Sequence, residues 1–592
     1  MRVRMGLMML GLLLVSGTGL AAADGVKPAT RISQDLADLL SPRAAALSVE
    51  TDEGVIESPV TPIPDVVTID AVASGDPAAL EAELIALGAQ DTAIAGRMVS
   101  ARIPLAAIPY LEGVISLQFA RAAQAVTNVG IVTSQGDKVM RADIARGLYG
   151  VDGTGVLVGV LSDSYNCQGG ATFDMATGDL PPTVMVVQES SCGPNSSSDE
   201  GRAMLQIVHD VAPGASLAFA TAFNGQASFA NNIKALRDAG AKVIVDDVSY
   251  VDAPMYQDGV IAQAVDNVKA SGVAYFSSAG NQARHAYEHA FVPGQIFAPG
   301  AFAGLPFLGG TAHNFGGTAM QRISFPAGTG FTLALQWDSP FFSVSGDPGT
   351  QNDLDIYLLR NNVVVAAATT NNLMSKDPVE FLSAGCSGSG TCVASLMIVN
   401  HAGPVPKRFK FVLYGASRRL TLTPATNSGT IYGHANALGA VAVGASNYKT
   451  PTTLEPFSSG GTTPVLFDIL GNRLDPPDPR QFKPEIVAPD GANTTFFSAG
   501  SDPEFDGFPN FFGTSAAAPH AAGVAALMVQ AVPTRPPETL RNTRETTARN
   551  MGAAGFDVNT GFGLIRADDA LTALHTLTIT AGPDGTPNPA VP

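Results

Sequence analysis

Gly155-Val-Leu-Val-Gly-Val-Leu161 has no polar side chain, and it is short, with Thr154 before it and Ser162 and Asp163 after it. A strand with one wet face alternates polar and apolar residues. A run without polar members is expected where both faces are covered, as in a parallel sheet between helices. The same pattern recurs at Ser216-Leu-Ala-Phe-Ala220, Lys242-Val-Ile-Val-Asp246, Val273-Ala-Tyr-Phe276 and Leu438-Gly-Ala-Val-Ala-Val443. Stretches with helical apolar spacing at 200–209, 227–239 and 260–270 separate the earlier runs, and an apolar helix at 517–531 closes the series. Strands and helices in this alternation predict an open α/β fold with right-handed crossovers.

The alternation stops near Ala290. Residues 312–424 carry short alternating runs instead, such as Phe331-Thr-Leu-Ala-Leu-Gln-Trp337, Leu354-Asp-Ile-Tyr-Leu358 and Phe409-Lys-Phe-Val-Leu413, which predict an inserted β-sandwich. Ahead of the α/β region, residues 64–121 read strand, helix, strand, helix, strand, a small split-βαβ or ferredoxin-like domain. A chain of 592 residues is too long for a single core, since cores stop growing at roughly 250–300 residues.

The first residues run Met1-Arg-Val-Arg-Met, then an apolar stretch from Gly6 to Val15, then Ala21-Ala22-Ala23. A basic start, a short apolar stretch and a small-residue cleavage site predict a signal peptide over 1–23, hence a secreted or periplasmic protein. No later apolar run has membrane-spanning length without charges or breakers, so no membrane span is expected. Cysteines fall into two local pairs, Cys167 with Cys192 and Cys386 with Cys392, which suits an oxidising compartment. Lys and Arg total 34 against 52 Asp and Glu, a net charge of −18, which argues against a nucleic acid partner.

Gly513-Thr-Ser-Ala-Ala-Ala-Pro519-His520 opens the last apolar helix and sets Ser515 at its start. There the unpaired N–H groups and the positive end of the helix dipole favour negative charge developing beside the serine oxygen. This string resembles the serine motif of subtilisins. Val156-Leu-Val-Gly-Val-Leu-Ser-Asp163 is similar to the aspartate motif of that family, and Ser277-Ser-Ala-Gly-Asn281 to the segment whose asparagine amide serves the oxyanion. Both follow buried strands, at the edge where parallel sheets carry their sites. The resemblance spans roughly residues 150–290 and 425–570. It implies a subtilisin-like serine endopeptidase acting through an acyl-enzyme on Ser515, with a peptide substrate in extended conformation paired to Val248-Ser249-Tyr250. It also implies an N-terminal propeptide and chemistry that needs no cofactor.

The family's histidine motif is replaced by Asp199-Glu200-Gly201-Arg202-Ala203-Met204, with Val211-Ala-Pro-Gly-Ala215 confirming the register. Glu200 thus takes the place of the base. Sedolisins, on the same fold, use a glutamate there; they carry a second acid four residues on, where this chain has Met204, and an aspartate where it has Asn281. The expected set is Asp163, Glu200, Asn281 and Ser515, with Asp163 partnering Glu200. An ordinary glutamate, with a pKa of ~4.3, is a weak base toward a serine, so nearby Asp163, Asp246 or Asp247 would have to raise it. His209 lies about 13 Å along the same predicted helix on the far face. His520 is read as a packed residue behind the nucleophile, and His285 and His289 as distant alternatives. A competing class is a pseudopeptidase that binds protein or glycan.

Domain expectations are 1–23 signal peptide, 24–125 propeptide-like domain, 126–311 and 425–572 the two parts of the peptidase-like domain, 312–424 sandwich, and 573–592 a Gly/Pro-rich tail. Asp353 and Asp355 have the ligand chemistry of a structural calcium site, although two acids at i and i+2 on a strand more often face solvent.

Overall fold

The apolar runs become neighbouring strands of one seven-stranded, all-parallel sheet. Its order is Ile486–Asp490, Ala440–Asn447, Ala274–Ser278, Val243–Asp246, Leu157–Ser162, Ser216–Thr221, Val184–Gln188. The computed structural model describes residues 30–38, 55–57, 66–123, 125–127, 134–193, 197–497 and 502–579. The signal peptide expected at 1–23 lies outside them.

Successive side chains on a strand point to opposite faces, and each face here has its own helical cover. Val243 and Val245 join one core with the helices Glu200–Val211 and Thr514–Ala531. Ile244 joins the other with Gln226–Asp238 and Val260–Ala270. The Thr514–Ala531 helix is rich in alanine, and at Gly523 it admits no side chain at all. A Cβ there would stand 2.6 Å from that of Val211, so the two helices on this face approach to backbone contact.

The N-terminal domain is a four-stranded antiparallel sheet ordered Gln90–Ala95, Met98–Pro104, Val66–Ala73, Leu117–Ala122. Its Pro77–Ala86 helix matches expectation, and Leu105–Gly113 is a 3₁₀ segment. The sequence pattern missed the edge strand Gln90–Ala95, whose polar first half hides any period-2 signal. This domain closes the open end of a helix in its neighbour. Asp70 accepts from Ser100 Oγ at 2.5 Å and from the Gln226 N–H at 3.2 Å, and Ser100 Oγ accepts from the Ala227 N–H at 2.9 Å. Gly225, at φ +90°, precedes that helix start, and a Cβ on it would strike Ser100 at 2.5 Å.

A sandwich of two largely antiparallel sheets fills the middle of the chain. Leu333, Leu335 and Trp337 from one sheet meet Ile356, Leu358, Leu396 and Ile398 from the other in a single apolar core. Its sheets take in more chain than residues 312–424. Ala286–Ala290 pairs with Arg408–Tyr414, Pro293–Phe297 with Gly310–His313, and Val55–Glu57 with Val379–Ser387. Their partners are distant in sequence, so local patterning could not assign them. The two disulfides join Cys167 with Cys192 and Cys386 with Cys392, the pairs expected. At the far end the Ala567–Ile579 helix runs past the expected start of the tail, and His575 stacks on Tyr149 at 4.6 Å between ring centroids. Among the described residues no helix is long and apolar enough to cross a membrane.

Candidate active site

Asp163 is the first residue beyond the strand Leu157–Ser162, and Glu200 is the first residue of the helix Glu200–Val211. The strand edge and the helix start meet through hydrogen bonds. Asp163 Oδ1 accepts from the Glu200 N–H at 3.0 Å, while Oδ2 accepts from the Ser198 N–H at 2.5 Å and Ser198 Oγ at 2.6 Å. Those N–H groups have no partner within the helix, so the carboxylate satisfies donors that a buried helix start would otherwise strand. Burial pushes the Asp163 carboxyl above its ordinary range, and the bonds from Ser198, Ser164 and Gly201 oppose that rise.

Asp199 occupies a left-handed conformation at φ +59°, unusual for a residue with a side chain. It is held there by its own carboxylate, which accepts from Ser164 Oγ at 2.9 Å, the Cys167 N–H at 2.8 Å, the Gln168 N–H at 3.1 Å and Arg202 Nη2 at 3.2 Å. Arg202 also pairs with Asp174. Asp199 therefore anchors the loop that the Cys167–Cys192 bridge closes, and it aims Glu200 inward. The Glu200 side chain is fully enclosed.

The next strand brings a second pair of acids to the same edge. Val243–Asp246 runs parallel to Leu157–Ser162 with Asp246 opposite Leu161, which sets Asp247 beside Ser162. Asp246 accepts from Ser277 Oγ at 3.0 Å and lies 3.0 Å from His434 Nε2. Asp247 is fully buried and is hydrogen-bonded to the side chains of Glu200 and Ser162. Burial pushes its carboxyl up to about 7; the bonds from Glu200 and Ser162 pull it down, and the charges of Asp163 and Asp246 add to the rise.

Ser515 is the second residue of the helix Thr514–Ala531 and is fully buried. Gly513, at φ +104°, makes the turn into that helix, and its N–H donates to Asp490 at 2.8 Å. Asn281 lies just beyond the strand Ala274–Ser278. Its Oδ1 accepts from the Thr514 N–H at 3.0 Å and from Thr514 Oγ1 at 2.9 Å. A backbone N–H can only donate, so the amide oxygen must face Thr514 and the NH2 group is the end left for another acceptor. Thr514 Oγ1 in turn accepts from the Gly280 N–H at 3.1 Å, which ties the two segments together. Asn281 and the first-turn N–H groups beside Ser515 thus form a cluster of fixed donors.

The histidines fall elsewhere. His520 Nδ1 lies 2.7 Å from the Ala516 carbonyl, and its ring fills the space a Cβ on Gly136 would need. Burial pushes it down to about 4, so it is a neutral packing residue. His289 sits on the sandwich strand Ala286–Ala290 near the rings of Tyr287 and His313. Val248–Tyr250, expected to pair with extended substrate, pairs antiparallel with Ala125–Thr127 of the same chain, Val248 opposite Thr127 and Tyr250 opposite Ala125. In the sandwich, Asp355 accepts from Tyr357 Oη at 2.8 Å and Asp353 from the Asn372 N–H at 3.3 Å. Among the described residues no group of three or more His, Cys, Asp or Glu is arranged to hold a metal ion.

Asp163 meets Glu200 through the Glu200 backbone N–H. Asp247, weighed from sequence only as a nearby charge, is the acid bonded to the Glu200 side chain. A model of the subtilase family matches residues 188–563. Over 59 residues, 10% of this chain and 8% of its relative, the protein is 44% identical to fervidolysin of Fervidobacterium pennivorans. Over 65 residues, 11% of this chain and 6% of the other, it is 40% identical to an extracellular serine protease of Serratia marcescens. The chain thus spans under a tenth of the length of these relatives. The solved CspB protease of Clostridium perfringens aligns with 75% of this chain and 98% of its own, at 13% identity and a TM-score of 0.45.

Proposed function

The chain belongs to the subtilase family, and from that membership we propose that it is an exported serine endopeptidase with Ser515 as nucleophile, Glu200 as general base and Asn281 as oxyanion donor. The observation that carries this reading is the pair of bonds from Thr514 to Asn281 Oδ1, at 3.0 and 2.9 Å, which turn the amide NH2 away from Thr514 at the start of the serine's own helix. A preorganised donor at that place is worth ~3 kcal/mol in the transition state.

In this mechanism Ser515 Oγ attacks the peptide carbonyl and passes its proton to the Glu200 carboxylate. The carbonyl π electrons move to oxygen, where the Asn281 NH2 and the helix-start N–H receive the charge. As the C–N bond breaks, Glu200 returns the proton to the leaving amine. Water then repeats the sequence on the acyl-enzyme, giving its proton to Glu200 and releasing Ser515. A carboxylate base must be ionised before it can act, and it is weak when fully solvated. An optimum on the acidic side of neutrality follows.

The substrate is an extended protein segment pairing with Val248–Tyr250. Ala125–Thr127 already holds that edge, which supports a role for the N-terminal domain as propeptide, released by cleavage beyond the paired strand. Export fits the expected leader and the two disulfides. Assayed between pH 3 and 9, purified mature protein should hydrolyse casein best on the acidic side of neutrality, and Ser515→Ala and Glu200→Gln should each abolish the activity. No hydrolysis by mature protein freed of the chain through Thr127 would sink the enzyme reading in favour of a binding role.

A further inference from the structure

A second acid of the site comes from a strand whose motif carries no catalytic signature. Asp247 follows Val243–Asp246, and the sheet register places it beside Ser162, one residue before Asp163. Glu200 reaches the same point from its helix start. Both carboxyls are completely enclosed, and they are hydrogen-bonded to each other. Two ionised carboxylates are acceptors only, so a bond between them requires a proton on one.

The surroundings favour one such proton. Asp163 and Asp246 add negative charge. On the helix side, Arg202 is committed to Asp174 and Asp199. On the sheet side, His434 faces Asp246, whereas the Ser162 hydroxyl bonds Asp247. His520 is engaged with the Ala516 carbonyl behind the serine. The named cation near the pair is thus already committed to other acids, and burial next to like charges opposes ionising both members.

We infer that Asp247 is the positioning acid of the site, sharing a single proton with Glu200 in a hydrogen bond that holds the Glu200 carboxyl toward Ser515. This rests on Glu200 being the base. In the resting pair the Glu200 bond favours the ionised form of Asp247, so the shared proton lies toward Glu200 and passes to Asp247 as Glu200 takes up the serine proton. When Ser515 attacks the substrate carbonyl the pair gains the serine proton and becomes neutral, and it returns to one proton when the leaving amine takes that proton away. Met204, which stands where sedolisins keep their second acid, is then replaced in function by a residue from beyond the helix, at the end of a strand. The pair has two macroscopic titrations, and the enzyme is active between them. Activity rises with pH as the first proton leaves and falls as the shared one is lost.

The test is the pH dependence of kcat and kcat/KM for casein-derived peptides. Asp247→Asn keeps an N–H donor toward Glu200 but has no proton to lose. Its alkaline limb should disappear or move up by at least one pH unit, with kcat at the optimum reduced ten- to a hundredfold and KM unchanged. Ser162→Ala, which removes a bond favouring ionised Asp247, should move the same limb upward and provides the reading should Asp247→Asn fail to fold. Infrared difference spectra should show a protonated-carboxyl band in the parent that both Asp247→Asn and Glu200→Gln lack. Parent-like alkaline limbs in both Asp247→Asn and Ser162→Ala, with Ser515→Ala and Glu200→Gln inactive, would overturn the proton-sharing role and leave the peptidase reading intact. Activity surviving in Glu200→Gln would instead overturn the base assignment on which it rests.

Discussion

The side chains of Glu200 and Asp247 hydrogen-bond to each other although neither is exposed to solvent. One begins a helix and the other ends a strand, and neither is near the other in sequence. The helix start is pinned by Asp163 and the strand by its register against Leu157–Ser162, so the two acids meet without freedom to separate. In water such a pair would drift apart. In a closed interior it is forced to hold a proton.

Stability should carry the mark of Asp247. Its carboxyl is raised to about 7 in the folded protein, against ~3.9 in an unfolded chain. Below the lower value both states are protonated and the residue has no differential effect. As pH rises the unfolded chain ionises first, and stability is lost until the folded carboxyl also ionises. His520 and His313 are pushed down to about 4, which acts in the opposite sense over an overlapping range, so the comparison must be with a variant. Relative to the parent, Asp247→Asn should gain in Tm as pH rises from about 4 to about 7. A constant difference across that range would contradict the raised carboxyl.

Asn281→Ala should lower kcat by about 10²–10³ with KM little changed, because its NH2 acts on charge present only in the transition state. Thr514→Val removes one of the two donors that orient Asn281 Oδ1 and keeps the other, so its loss should be smaller. Equal losses would mean that Thr514 contributes beyond orienting the amide.

Asp163→Ala should destabilise the protein by about 1–3 kcal/mol for each buried donor left unsatisfied, among them the N–H groups of Glu200 and Ser198. Urea unfolding reads this directly. Activity should fall with it, since the Glu200 backbone would no longer be tied to the sheet edge.

Arg121, on the N-terminal domain and 2% exposed, bonds Asp252 of the α/β region and Asp377 of the sandwich, each at 2.8 Å. Arg121→Met leaves two enclosed carboxylates without their cation, a change that costs about 3–5 kcal/mol. The N-terminal domain should become the first segment cut in limited proteolysis. An unchanged digestion pattern would show that the Asp70 and Ser100 contacts to the helix Gln226–Asp238 hold the domain alone.

Removing the Cys167–Cys192 bridge, with a separation of 25 residues, should cost about 3 kcal/mol by loop closure. The Cys386–Cys392 bridge closes only 6 and should cost about 2 kcal/mol. The first loss should also reduce activity, because the Cys167 N–H bonds Asp199, the residue that turns the chain into Glu200.

Sequence alone determined the α/β core, since buried strands need uninterrupted apolar runs and their helices need apolar faces, both local in the chain. It also marked Asp163, Glu200, Asn281 and Ser515, because each lies in a short contiguous stretch that resembles a subtilisin motif. Tertiary structure alone decided which acid bonds the Glu200 side chain, because sheet register aligns Asp247 with Ser162 and no local pattern encodes a register between distant strands. The same reason put Ala286–Ala290 and Val55–Glu57 into the sandwich and Ala125–Thr127 on the edge Val248–Tyr250. Strand pairing is a contact between residues far apart in sequence, and it is settled only when the whole chain has found the arrangement that buries its apolar faces.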